Sequence, residues 1–381
     1  MTTYIKILIG LLVATVLNST PNEGRFSING NISGFEDGTK VMLLNAQNNI
    51  VLDTSVVKAN RFTFLGETTS EPQSYVLYIP IENNMKYTYL FMADEDVFVE
   101  GDINDFPNNL TVTGSVHHNL KVAYDKRIAD YDKELTVHKS KIAELQQQNL
   151  WNDSLQQKYI GENGILREIN AKKTEVEKQF IADHIDTYYA MQILYYKKSN
   201  YKDRKLKKIF SKFSKELQST KNGKAIQAYL NNPEIKKGEK YTDFEALSRD
   251  GSIKKLSEQF DGKKYVLLDF STPTCPHSQK AIPMLQDLNE KYKEDLNIVT
   301  FYTESKQEHF DYISNLEKNT WQFLWTKEGE EGFPYKRYRI NSTPTYYLFS
   351  LEGKLIEKWS GFQQGYYDAT QSKIEKLIGV K

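Results

Sequence analysis

From Arg25 to Thr113 the chain alternates apolar and polar residues in short runs. Phe26–Gly30, Lys40–Asn45, Ile50–Val57, Arg61–Leu65, Tyr75–Pro80, Tyr87–Met92 and Val97–Gly101 follow one another, parted by turn residues such as Asp37-Gly38. Period-two runs at this spacing bury one face of each strand, which predicts an all-β antiparallel sandwich or barrel over 24–115. From Gly114 the period lengthens to three and four. Tyr124, Ile128, Tyr131, Leu135 and His138 form one stripe, and Ile165, Ile169, Val176, Phe180, His184 and Tyr188 form another. Two long antiparallel helices are predicted, then shorter ones around Leu206–Leu217 and Ala225–Leu230, making 116–232 a central α-helical region. Asn231-Asn232-Pro233 ends it, and Lys236–Lys240 reads as an exposed linker.

Over 236–381 strand-like and helix-like runs alternate. Tyr265–Phe270, Leu296–Tyr302, Thr345–Phe349 and Leu355–Trp359 read as strands, the last two joined at Glu352-Gly353. Amphipathic segments follow Cys275, span Gln307–Leu316 and close the chain from about Tyr366 to Ile378. This pattern predicts a mixed sheet covered by helices, an α/β domain. The fold class is therefore multidomain.

A length of 381 residues agrees, being too long for one ordinary core. Lys and Arg total 50, as do Asp and Glu, so no net field favours nucleic acid. The basic run Lys197–Lys208, interleaved with tyrosines, reads as a solvated helix face, and no nucleic-acid partner is expected. Ile5–Leu17, with Lys6 at its start and Asn18-Ser19-Thr20 behind it, reads as an export signal over 1–20. It falls short of the roughly 20 residues of a bilayer span, and no later segment resembles one. Export implies the periplasm or cell envelope, an oxidising compartment. His117-His118 reads as a solvated pair. No metal-ligand spacing and no cofactor motif is found.

Cys275 is the only cysteine, so it makes no disulfide within the chain. It lies where Tyr265–Phe270 turns through Ser271–Thr274 into the amphipathic segment. A thiol there faces the positive end of a helix, which favours thiolate. A buried inert thiol is the competing reading.

Several features around that cysteine occur together: Asp269-Phe270, Cys275-Pro276-His277-Ser278, Pro283, Ser342-Thr343-Pro344-Thr345 and Leu351–Lys354. In this order and spacing they resemble the thioredoxin-like domain of the TlpA/ResA group of exported bacterial thiol–disulfide oxidoreductases. The Arg25–Ser115 segment is similar to a β-rich domain of unknown function that precedes such domains in Gram-negative envelope proteins. The resemblance implies a C-terminal thioredoxin fold with Cys275 as nucleophile. It implies His277, Ser278 and Asp269 as its catalytic neighbours, and a substrate groove formed by Thr343, Pro344, Pro276 and Thr274. It also implies a cis Thr343–Pro344 bond. Ser278 stands where the family carries its second cysteine, and Ser271 and Thr274 replace the usual tryptophans. A serine hydroxyl cannot resolve a mixed disulfide. The expected chemistry is monothiol exchange, isomerisation or capture of protein disulfides or thiols, with an external thiol for release. Two alternatives stand beside it: a non-catalytic thioredoxin-fold scaffold, and a peroxidase. Thr272-x-x-Cys275-Pro276 resembles part of the peroxiredoxin motif, with Arg337 or Arg339 as the candidate arginine.

Overall fold

A computed structural model describes residues 24–379 except 48–49, 68–70, 82–84, 162, 273–274, 317–318 and 363–366. The export segment 1–20 and the site candidate Thr274 lie outside the described residues. The chain divides into two compact units, Met1–Leu194 and Tyr195–Lys381.

The first unit opens with eight strands: β1 (Arg25–Ser33), β2 (Lys40–Asn45), β3 (Val51–Val56), β4 (Arg61–Glu67), β5 (Gln73–Ile79), β6 (Lys86–Met92), β7 (Asp96–Asp102) and β8 (Thr111–Thr113). They form two four-stranded sheets, ordered β4-β1-β7-β8 and β3-β2-β5-β6. Alternate residues such as Phe26, Ile28, Phe64 and Val97 against Val41, Leu43, Leu77 and Leu90 share one core, whereas β3 buries neither face, its Val51, Leu52 and Val56 all being exposed. The predicted sandwich is present, but it is not antiparallel throughout. β1 and β7 run parallel, Ile28 opposite Val97. The intervening chain visits the second sheet and returns alongside β1 in the same direction. Periodicity reveals which face is buried and carries no information about direction.

Three helices follow: α1 (Val116–Gln147), α2 (Asp153–Ile160) and α3 (Ile165–Asp183). α1 and α3 pack antiparallel, tied by Tyr124 donating to buried Glu177 at 2.9 Å and by Lys173 to Asp132. The second predicted stripe does not continue to Tyr188 as one helix. α3 ends at His184, and Thr187 caps a new helix, α4 (Tyr188–Lys197), by accepting from Ala190 N–H. His117-His118 is not a solvated pair. Ser115 caps α1 through His118 N–H, and His118 Nδ1 accepts from Phe91 N–H at 3.3 Å. Burial pushes the His118 pKa down to about 4. The pair sits at a helix start packed on β6, where both rings are drawn inward.

The second unit carries α5 (Asp203–Phe210), α6 (Lys215–Ser219) and α7 (Lys221–Asn231), then an α/β domain. Its strands are β9 (Glu245–Ser248), β10 (Ile253–Lys255), β11 (Tyr265–Ser271), β12 (Leu296–Tyr302), β13 (Gln322–Trp325), β14 (Thr345–Phe349) and β15 (Leu355–Ser360), in the order β10-β9-β13-β12-β11-β14-β15. The helices are α8 (Pro276–Lys291), α9 (Gln307–Ser314), α10 (Phe333–Arg337) and α11 (Tyr367–Ile378). β11, β12 and β13 are parallel, while β14 and β15 run antiparallel to β11 and to each other. Gly353 takes a φ of +73° at the β14–β15 turn, a conformation glycine adopts freely.

Successive residues of β11 face opposite sides of the sheet. Val266, Leu268 and Phe270 join one core cluster, and Leu267 joins the other with Ala281, Met284, Leu285 and Leu288 of α8. That parity puts Asp269 on the α8 side. The stretch read as a linker is exposed yet fastened, since Gly238 N–H donates to Leu355 O and Tyr241 N–H to Gly353 O. α5 and α7 are tied to the α/β domain by Arg339. Its side chain is 5% exposed, pairs with both Asp203 oxygens at 2.8 and 3.0 Å, and donates to Asn232 and Tyr229 carbonyls.

Candidate functional site

β11 stops at Ser271, and Cys275 is the N-cap of α8, with φ −87° and ψ 116°. Pro276 occupies the first helical position, where its missing N–H costs nothing. Thr343–Pro344 is cis and leads into β14. The Cys275 thiol donates to the Thr343 carbonyl at 3.2 Å, so loop and cysteine are adjacent. Partial burial raises the thiol pKa. Hydrogen bonds from Ser278 N–H, the Thr343 side chain, His277 N–H and the Ser278 hydroxyl outweigh it, and the net pKa falls below that of an ordinary cysteine. The two N–H donors are unpaired groups of a helix start, as the position in the sequence required.

Ser278 is 3% exposed and its Oγ also accepts from Thr272 N–H at 3.4 Å. His277 is exposed. Its Nδ1–H donates to Phe362 O at 2.7 Å, so its imidazole is engaged away from the sulfur and its backbone N–H is the group that serves Cys275. Asp269 is fully buried beneath the loop. Ser271 donates to it at 2.7 Å and Thr300 at 3.0 Å, while Trp321 Nε1–H donates to Thr300. Burial pushes the Asp269 pKa up to about 7 against the pull of the two hydroxyls. Asp269, Ser278, Thr272 and Tyr302 all line one cavity of about 20 Å³.

Cys275, Pro276, His277, Ser278, Asp269, Thr343 and Pro344 thus converge on one end of the sheet. Sequence reasoning missed Thr300, Ser271 and Trp321 around the buried acid, and the Phe362 carbonyl that holds His277. Thr300 had a signal: it is a polar residue inside the apolar stretch Ile298–Tyr302, and it lies opposite Asp269 in the parallel register.

The residues named for a peroxide site have the following partners. Thr272 Oγ1 donates to Glu304 Oε1 at 2.5 Å. Arg339 is bound to Asp203, and Arg337 donates to Pro233 O at 2.8 Å. Among the described residues no three His, Cys, Asp or Glu side chains form a group able to hold a metal. No described helix is long and apolar enough to cross a membrane.

A parallel β11-β12-β13 core, an antiparallel β14-β15 hairpin and a cysteine at the start of α8 beside a cis-proline define a thioredoxin-like domain. Residues 262–355 match the family described as thioredoxin-like, and residues 26–120 match a domain of unknown function, DUF4369. The chain therefore carries an N-terminal DUF4369 domain and a C-terminal thioredoxin-like domain. No curated protein matches it. Among solved structures it is similar to the thioredoxin domain of a thiol-disulfide oxidoreductase from Bacteroides vulgatus, at 21% identity over 38% of this chain and 99% of that one, TM-score 0.34. A thiol-disulfide oxidoreductase from Bacteroides fragilis gives 22% identity over 36% and 99%, TM-score 0.32. The pneumococcal exposed lipoprotein thioredoxin of Streptococcus pneumoniae gives 22% over 35% and 99%, TM-score 0.30.

Proposed function

We propose that the protein is an exported monothiol member of the thiol–disulfide oxidoreductase class, acting on protein disulfides or thiols of the cell envelope. The observation that carries this reading is the Cys275 sulfur at the α8 start, supplied with hydrogen-bond donors and set beside the Thr343 carbonyl. The Cys275 thiolate attacks one sulfur of a partner disulfide. The partner's S–S bond breaks, a bond forms between Cys275 and the partner, and the other partner sulfur leaves as thiolate. Ser278 cannot displace Cys275 from that mixed disulfide, because an alkoxide does not form at neutral pH. Release requires a second thiol, from the partner or from an external reductant, which takes over the partner sulfur and returns the Cys275 thiolate.

In this scheme Ser278 hydrogen-bonds the attacking sulfur. The extended partner segment aligns beside Thr343 and Pro344, with Pro276 forming the opposite side of the groove. His277 helps through its backbone N–H, and Asp269 acts as a buried acid behind the site.

The test is incubation of the full chain with a low-molecular-weight disulfide at pH 7, followed by intact-mass measurement. One adduct on Cys275, removed by added thiol and absent from Cys275→Ala, is expected. A chain that forms no adduct would favour the scaffold reading, with Cys275 inert.

A further inference from the structure

Within the second unit, a cleft of about 340 Å³ opens between the helical segment and the α10 region. Its volume falls in the range of ligand sites, and Tyr195, Tyr229 and Tyr335 line it. The sequence assigned Lys198 to a solvated face, yet it is half-buried here. Its Nζ sits 4.1 Å from the Tyr195 ring centre and 5.8 Å from that of Tyr229. Its one described hydrogen bond is to Tyr195 O at 3.2 Å, and no carboxylate among the described residues pairs with it.

The other charges of the cleft are neutralised, Arg339 by Asp203 and Lys336 by Glu331. Glu330, like Lys198, has no ion-pair partner among the described residues. Desolvation and the neighbouring Glu331 and Glu304 raise its pKa, so a cation beside it would be favoured. The cleft therefore holds one unpaired cation and one unpaired carboxylate among aromatic rings. Asn341 forms part of its edge, and Asn341 precedes by two residues the Thr343 whose carbonyl meets the Cys275 sulfur. Two residues span at most about 7 Å.

We propose that this cleft is a specificity site for the partner polypeptide, receiving an extended segment next to the reacting cysteine. That segment carries a basic side chain for Glu330 and an acidic one for Lys198, their stems lying on the tyrosine rings. The proposal rests on the exchange reading above.

The test uses equal-length cysteine peptides activated as mixed disulfides with thionitrobenzoate. Cys275 attacks the peptide sulfur, the peptide joins Cys275, and thionitrobenzoate leaves as the coloured thiolate, with no net oxidation. One pair of peptides carries Arg and Glu, in either order, beside the cysteine, and a control carries Gln at both positions. Each rate is divided by the same protein's rate with the symmetric bare aromatic disulfide. A paired charge is worth up to about 1 kcal/mol, a factor of at most about five, so one dipolar peptide, which makes two such pairs, is expected to react several-fold faster than the control. Lys198→Gln and Glu330→Gln should each lower that ratio, and the double variant should bring it to one. Equal rates for all peptides, or an advantage that survives the double substitution, would overturn the site while leaving the exchange reading intact. A Cys275 that ignores even the bare disulfide would sink both.

Discussion

Asp269 is a buried acid whose pKa is pushed up to about 7, and replacing it with asparagine should reshape the pH dependence of stability. In the unfolded chain an aspartate titrates near its ordinary value of about 4. Between about pH 4 and pH 7 the folded protein keeps a proton that the unfolded chain has released. The unfolded state then binds fewer protons, so this group makes stability fall as pH rises through that window, level below it and level above it. A gap of about three units corresponds to a ceiling of roughly 4 kcal/mol. The substituted amide would remove the titration while still receiving one of the hydroxyls of Ser271 and Thr300. Asp269→Asn should be up to about 1 kcal/mol less stable than the parent at pH 5, and more stable than it at pH 8 by about 1–3 kcal/mol. Urea unfolding followed by tryptophan fluorescence reads the right region. Trp321, Trp325 and Trp359 all lie in the second unit, and Trp321 is hydrogen-bonded to Thr300 beside the acid. Parallel stability curves for the two proteins across pH 5 to 8 would refute the argument that burial governs Asp269.

The lowered thiol pKa predicts that iodoacetamide alkylates Cys275 with a pH midpoint below the roughly 8.5 of a free cysteine; a midpoint at or above that value would remove the activated thiolate. Ser278→Cys should create a dithiol in the first turn of α8 and give insulin-disulfide reduction that the parent chain lacks. No gain would mean that more than the second sulfur is missing. Arg339→Ala should cost about 2–4 kcal/mol in denaturant unfolding of the second unit, since it strips Asp203 and two carbonyls of their donors. A loss within about 0.5 kcal/mol would show that α5 and α7 do not depend on it.

Most strands of the sandwich were legible because their core imposes period-two burial, and β11, β12 and β14 because burial on both faces makes them short continuous apolar runs. Seven of the eight strands of the sandwich fall in the run from Phe26 to Gly101 that was read as strands, and Leu296–Tyr302 and Thr345–Phe349 have the predicted bounds. What periodicity omits is direction, and the parallel β1–β7 pair was lost for that reason. β9 and β10 were missed because four and three residues are too short to establish a period. The helix break at His184 was hidden because its neighbours continue the apolar stripe, while the capping hydroxyl of Thr187 decides the matter. Around the site, Cys275 was readable from its place at a strand-to-helix turn, and Ser278 and Thr343-Pro344 through the family resemblance. The Phe362 carbonyl, 85 residues from His277, and the Glu304 carboxylate on Thr272 come from distant loops with no local signature.

Recovery of disulfide-linked partners from the cell envelope tests the central claim most directly. Cells expressing the parent chain or Cys275→Ala are quenched with an alkylating agent and the protein is isolated without reductant. The account predicts discrete adducts that dissolve on reduction and are missing from the alanine variant. An absence of adducts from the parent chain, or the same adducts on Cys275→Ala, would contradict it.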